Sequence, residues 1–245
     1  MNKIVSDSKY YDYPNCRPIN IESDGCDLAE WDRLYGDCSF AWHPKGFKIF
    51  LPPDRLLACD EYSEGDPYTV NMHSEFHTRR IDLTVELVRT AVSSIQGTPE
   101  ILDLGCGRGY ITEKIRQSIR CARISGLDHS VSAIEYAHTH FPLIDFVVGD
   151  AYDPPYSPGF FDVVVCNNLW EHVPDPLFVL SRIRRITKPG GYLVLSTPNR
   201  HRLSNLLRVL RGKPVTFMSQ HHVTEYQYLR KVGAAAASPG RERPR

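Results

Sequence analysis

From position 72 the chain changes from irregular to periodic. Ile81, Val85, Val88, Val92 and Ile95 recur at intervals of four, three, four and three, which paints one apolar stripe along a helix. Gly97, Thr98 and Pro99 end it. Five short apolar runs follow: Ile101 to Leu104, Ile124 to Leu127, Ile144 to Val148, Phe161 to Cys166 and Tyr192 to Leu195. Between them lie helical stretches near 110–120, 131–140 and 176–187. Strands this apolar, alternating with helices, are buried on both faces, which requires a parallel sheet with right-handed crossovers. The predicted fold class is α/β: a doubly wound, mostly parallel sheet.

Residues 1–71 are rich in Tyr, Pro, Asp and Gly and carry no sustained period. Only Phe47 to Leu51 (FKIFL) reads as a strand. The expectation is an irregular N-terminal extension wrapped on a main domain of residues 72–231. The last stretch, 232–245 (VGAAAASPGRERPR), has almost nothing to bury and is expected to be a disordered tail.

Composition narrows the function classes. The 245 residues are 42% hydrophobic and 24% charged with a formal net charge of zero, which argues against global disorder and against an unusually basic nucleic-acid binder. The zero is unevenly made. Residues 1–80 hold 9 basic and 14 acidic side chains, 81–199 hold 10 and 13, and 200–245 hold 10 and 2, so the polarity runs from end to end. Apolar runs fall well short of the ~18 residues of a membrane span, and the N-terminus lacks a secretory apolar core. A cytoplasmic location is the expectation. The seven cysteines form no C-x-x-C pair, as expected of free thiols in a reducing compartment. Cys16, Cys26, Cys38 and Cys59 match no zinc finger or ribbon spacing, and no metal is expected.

The first strand runs into Asp103-Leu104-Gly105-Cys106-Gly107-Arg108-Gly109-Tyr110. Ligands of open α/β sheets bind at the carboxyl ends of the strands, where glycines let the backbone turn tightly and approach closely. A dinucleotide fingerprint would place a third glycine at Tyr110, so the G-x-G-x-x-G pattern is not met. Asp103 beside the loop disfavours a pyrophosphate and favours a ligand with a cationic ammonium. Asp128, followed by His129, ends the second strand, where an acid can accept hydrogen bonds from two ribose hydroxyls. Asp128 followed by Ser130 also fits an ordinary helix cap. Asp150 and Ala151 follow the third strand, where an adenine amino group could be read. Three successive strand ends thus offer carboxylates to a nucleoside carrying a cation and no phosphate, a description that S-adenosylmethionine meets.

As an ordered series, ILDLGCGRG, GLDHS, VVGDA, FDVVVCNNLWEHVPDP, KPGGYLVLSTPNR and HHVTEY make residues 72–230 resemble a class I S-adenosylmethionine-dependent methyltransferase. EHVPDP, KPGG and STPNR are similar to the small-molecule branch that includes the ubiquinone-biosynthesis O-methyltransferases. The resemblance implies a Rossmann-like fold and a cofactor pocket. Asp103, Gly105, Gly107 and Gly109 would lie near the methionine part, Asp128 and His129 at the ribose, and Asp150 and Ala151 at the adenine. Asn167 would meet the methionine end through its backbone. Members of that branch can hold a metal with Glu-x-x-Glu-His, but here the first acid is Asn168, a poorer ligand for a hard cation.

Methyl transfer from a sulfonium mainly requires alignment and exclusion of water. A hydroxyl acceptor also needs a base of near-neutral pKa. His172, with Glu171 beside it directly after the fourth strand, is the leading candidate; a packed structural histidine and a loop-orienting glutamate are the competing reading. His221 and His222 are alternative bases or surface residues. Residues 200–222 are expected to form a lid, whose Arg200 to Lys213 portion has five basic and no acidic residues beside Leu203, Leu206, Leu207 and Leu210. A peripheral contact of 200–213 with an anionic membrane is the alternative.

The resemblance implies seven strands in the order 3-2-1-4-5-7-6, yet only five are legible from the glycine loop onward, the last two being missing. The fifth strand would then be an open edge, covered by the N-terminal extension through Phe47 to Leu51, or left bare in a shortened form. The leading expectation is methyl transfer from S-adenosylmethionine to a small-molecule hydroxyl. An RNA methyltransferase using the basic C-terminal portion, or a cofactor-binding protein that lost turnover, remain as rivals.

Overall fold

The computed structural model describes residues 33–35, 38, 40–51, 55 and 75–197. Its elements in chain order are β1 (Ala41–Trp42), β2 (Lys48–Ile49), α1 (Glu75–Val92), β3 (Glu100–Leu104), α2 (Tyr110–Ser118), β4 (Arg123–Asp128), α3 (Val131–His140), β5 (Asp145–Val148), β6 (Phe161–Asn167), a single 3₁₀ turn (Trp170–His172), α4 (Pro176–Ile186) and β7 (Thr187–Ser196). They build one sheet in the order β1-β2-β5-β4-β3-β6-β7. Every pair is parallel except β1 with β2.

β3 and β6 are buried along their whole length, as both-face burial in a parallel sheet demands. One face is covered by α1 and α2, through Val85, Val88, Ala91, Ile115 and Ile119 against Ile101, Ile124, Val163 and Val165. α4 covers the other through Val179, Ile183 and Ile186, joined there by Tyr35, Tyr156, Phe160 and Phe161. The chain order reverses at β3, which pairs with β4 on one side and β6 on the other. A crevice opens above the carboxyl ends at such a switch point.

Local chemistry explains where the helices start. Ser130 accepts the Ala133 N–H at 3.0 Å and caps α3, while Asp175 accepts the Phe178 N–H at 3.0 Å and caps α4, with Pro176 opening the first turn. α2 has no side-chain cap and starts at Gly109, in the left-handed region at φ 77°. The stripe predicted through Ile95 is helical only to Val92, beyond which single turns carry the chain toward β3.

The N-terminal stretch departs from expectation twice. Part of it is regular: β1 and β2 form a short hairpin, with Gly46 at φ 93° turning between them. Nor does Phe47 to Leu51 lie beside the fifth strand of the run, β7. β2 pairs parallel with β5, at the opposite edge of the sheet. The apolar contacts decide it, since Phe47, Ile49 and Leu51 bury against Ile134 and Ala137 of α3 and against Phe146 and Val148. Lys48 then reaches Asp145 at 2.7 Å, and the Tyr35 hydroxyl donates to the same carboxylate at 2.6 Å. The two further strands that the resemblance would place after β7 concern residues outside the described ones, as do the proposed tail, the 200–222 lid, His221 and His222. Among the described residues no helix is long and apolar enough to cross a membrane.

Candidate functional site

The glycine loop leaves β3 and crosses the end of β4, because the N–H groups of Gly105 and Cys106 both donate to the Leu127 carbonyl, at 2.8 and 3.1 Å. Gly105, Gly107 and Gly109 have φ of 79°, 52° and 77°, values that side chains make costly. The three glycines are not alike. A Cβ on Gly105 would come within 3.0 Å of the Leu169 side chain, and one on Gly109 within 2.6 Å of the Phe146 ring. Gly109 therefore lets α2 pack closely on β5, a structural task that the loop motif does not announce.

Asp103 and Asp128 end adjacent strands and are 2% and 6% exposed. Asp103 accepts the Thr112 hydroxyl at 2.6 Å. Burial pushes its carboxyl up to about 6, opposed by that hydrogen bond and helped by the negative Asp128 nearby. Asp128 holds the loop, accepting the Gly107 N–H at 2.8 Å on one oxygen and the Ser130 N–H at 3.0 Å on the other. Thus Ser130 is the helix cap and Asp128 is not. A carboxylate has about four acceptor positions, so two remain on Asp128 for ligand hydroxyls. His129 is half exposed, its Nδ1 3.4 Å from Asp128.

Past β5, Asp150 accepts the Tyr152 N–H at 2.8 Å and pairs with the guanidinium of Arg55, from the N-terminal stretch. Ala151 is partly buried behind it. The third strand end is therefore a carboxylate already clasped by a cation that sequence reasoning did not foresee.

The rim of β6 and β7 is built differently. Asn167 is 7% exposed, and its Oδ1 accepts the Ser196 hydroxyl at 2.7 Å and the Thr84 hydroxyl at 3.4 Å. Its Nδ2 has no partner. Asn168 adopts φ 53°, a conformation that Asn tolerates better than Glu, which gives its place in the Glu-x-x-Glu-His position a backbone reason. Glu171 is 1% exposed; Oε2 accepts the Thr197 hydroxyl at 3.3 Å and Oε1 is unpartnered. Burial raises the Glu171 carboxyl to about 7, against the opposing pull of its hydrogen bonds and of the Arg80 charge. His172 shares the 3₁₀ turn with Glu171 and is half-buried.

Arg80 was missed from the sequence. Its Nε–H and an Nη1–H are buried without partners, and burial lowers the guanidinium while the field of Glu171 supports it. The spacing alone does not announce it: Arg80 and Thr84 lie four apart, one turn of α1, but only the fold shows that Thr84 reaches Asn167. The structure thus brings Asp103, the three glycines and Asp128 to one rim, Asp150 and Ala151 to its end, and Asn167, Glu171, His172 and Arg80 to the other.

Comparison with known proteins bears on the family and the fold. Residues 102–195 match the protein family described as “Methyltransferase domain”. The chain is 39% identical over 116 residues to the ubiquinone biosynthesis O-methyltransferase of Thiobacillus denitrificans, covering 45% of this chain and 49% of that protein. It is 30% identical over 169 residues to the protein of the same name from Bordetella avium, covering 64% and 66%. The chain spans between about half and two thirds of the length of these relatives. Among solved structures, the CurJ carbon methyltransferase superposes with a TM-score of 0.50 at 18% identity, over 56% of this chain and 41% of that one, a likeness of fold.

Proposed function

We propose that this chain, whose residues 102–195 match the methyltransferase domain family, transfers a methyl group from S-adenosylmethionine to a hydroxyl oxygen of a small-molecule acceptor. The observation that carries the cofactor half is the pair of buried carboxylates ending β3 and β4 beside three left-handed glycines. The oxygen acceptor is supported by the relatives, which are named O-methyltransferases of ubiquinone biosynthesis.

The residues fit the cofactor by charge and by unsatisfied atoms. Asp103 suits an ammonium, and ligation of a cation there offsets the cost of ionising a buried carboxylate. Arg80 offers two unpartnered N–H groups to the methionine carboxylate. Asp128 and His129 take the ribose, and Asp150 with Ala151 the adenine edge. When bound, the cofactor supplies an electrophilic methyl on a sulfonium. The chain's own work is to orient the two partners, exclude water and accept a proton from the acceptor hydroxyl. We assign that last step to His172, with Glu171 beside it. Burial raises the neighbouring Glu171 carboxyl to about 7.

The test is thermal stabilisation of the chain by S-adenosylmethionine and by S-adenosylhomocysteine, with NAD as the control. A rise with the first two and none with NAD is expected; no rise with either would end the cofactor assignment. Replacing His172 with Ala should leave that stabilisation intact while lowering turnover on a hydroxyl acceptor by about 10²-fold or more. Unchanged turnover would remove His172 as the base.

A further inference from the structure

The turn after β6 lies where the branch that this chain resembles can hold a metal, and the side chains here do not fit one. Hard divalent cations take about six or more oxygen ligands, of which carboxylates bind best. Of the Glu-x-x-Glu-His set only Glu171 and His172 are present, Asn168 standing in the first place. Among the described residues no three His, Cys, Asp or Glu side chains come together as an ion would require.

The backbone opposes the missing ligand as well. Asn168 is the one non-glycine residue with positive φ among those described, at 53°, and its N–H donates to the Ser196 carbonyl at 2.9 Å, which ties the turn to β7. Glycine suits such a position best and Asn tolerates it, whereas a glutamate meets its full steric cost. Glu171 is restricted too. It is 1% exposed, and one oxygen already accepts the Thr197 hydroxyl at 3.3 Å, which leaves Oε1 alone.

A buried carboxylate calls for a positive charge, and α1 supplies it. Arg80 lies one helical turn before Thr84, whose hydroxyl is 3.4 Å from Asn167 Oδ1, four residues before Glu171. Two N–H groups of Arg80 are buried and unpartnered, and the charges of Arg80 and Glu171 each favour the ionised form of the other. A divalent ion on Oε1 would share this poorly screened place with a guanidinium of the same sign.

We propose that the Arg80 guanidinium stands in this chain where a divalent cation would otherwise serve: it is the counter-charge of Glu171, it keeps an ion off that carboxylate, and methyl transfer here needs no metal. With five N–H donors Arg80 can face a ligand carboxylate and Glu171 together. Only the turnover arm of the test rests on the transfer reading above.

The experiment titrates Mg²⁺ and Mn²⁺ separately into the metal-stripped full chain by calorimetry, and follows methyl transfer to a small phenol with and without EDTA. The parent should bind neither ion below about 1 mM, and EDTA should change turnover by less than about 2-fold. Asn168→Glu alone should still bind neither ion. Combined with Arg80→Met, it should bind one of them at least about 100-fold more tightly than the parent. Asn168→Gly, which keeps the left-handed turn without a side chain, should hold turnover within about 3-fold. Ion binding by the parent that Glu171→Gln abolishes overturns the proposal, as does turnover that EDTA removes and the ion restores. So does ion binding by Asn168→Glu with Arg80 in place, or a folded double variant that binds none. A parent that transfers no methyl group with or without ions refutes the transfer reading, and the ion titrations still decide this one.

Discussion

The two rims of the switch point solve opposite problems. Along β3 and β4 the carboxylates are engaged by the chain's own groups: Thr112 on Asp103, and the Gly107 and Ser130 N–H groups on Asp128. Along β6 and β7, Asn167 Nδ2, Glu171 Oε1 and two N–H groups of Arg80 are buried and unpaired. Native interiors leave few such atoms unsatisfied, each at a cost. The first rim is thus a finished wall whose residual capacity a ribose can use. The second is an unfinished one. On the proposed cofactor reading, preorganisation of the first would fix where the nucleoside sits, and the second would tie affinity to the groups at the reacting end.

The sharpest way to break this contrast is Asp128→Ala. It removes the acceptor of two backbone N–H groups and of any ribose hydroxyls together, so the loop loses its anchor along with the ligand contact. Stabilisation by S-adenosylhomocysteine should vanish, corresponding to about 100-fold weaker binding or more. Binding that survives unchanged would show that the ribose lies elsewhere.

Gly109→Ala probes the same wall by shape. It places a Cβ 2.6 Å from Phe146 Cζ and 3.1 Å from the Ala137 Cβ, on a backbone with φ 77°. Roughly 2–3 kcal/mol of stability should be lost, read as a lower urea midpoint. Adding Phe146→Leu should recover the steric part and leave about 1 kcal/mol of backbone strain. No recovery would mean that the close packing of α2 on β5 is not the reason for this glycine.

Asp103→Asn separates stability from binding. The Asp103 carboxyl is raised by burial from 3.8 to about 6, so between those values the folded state holds more protons than the unfolded one. Its contribution to stability therefore falls as pH rises through that window and stays low above it. Asn keeps an acceptor for Thr112 and carries no charge. The variant should gain about 1–2 kcal/mol at pH 7 and nothing at pH 3, while losing S-adenosylhomocysteine affinity. Urea midpoints at the two pH values decide it, and an equal change at both would remove the burial argument.

Much of this was legible beforehand, for identifiable reasons. The five central strands and their helices follow from apolar runs that only a two-faced burial explains, and Asp103 and Asp128 stand where the strand ends put them. The edge chosen by β2 was not legible, because FKIFL would suit either edge by composition; the fit of Phe47 and Ile49 against α3 is a property of the assembled sheet. The packing task of Gly109 was not legible either, because its steric partner, Phe146, lies on a distant strand. Arg80 was overlooked for the converse reason: a cation on a helix usually faces water, and nothing short of the fold shows it turned inward beside Thr84.

The smallest effect belongs to Arg55, and its smallness is informative. Arg55 pairs with Asp150 at the strand end proposed for the adenine, but its side chain is 60% exposed, and exposed ion pairs are worth about 0–1 kcal/mol and are screened by salt. Arg55→Ala should therefore change S-adenosylhomocysteine affinity by less than about 3-fold, and raising the ionic strength should erase even that. The Tyr152 N–H keeps Asp150 in place without it. A loss of tenfold or more that persists in high salt would mean the contact is desolvated when ligand is bound. The N-terminal stretch would then be part of the cofactor wall, and the division between a finished and an unfinished rim would have to be redrawn to include it.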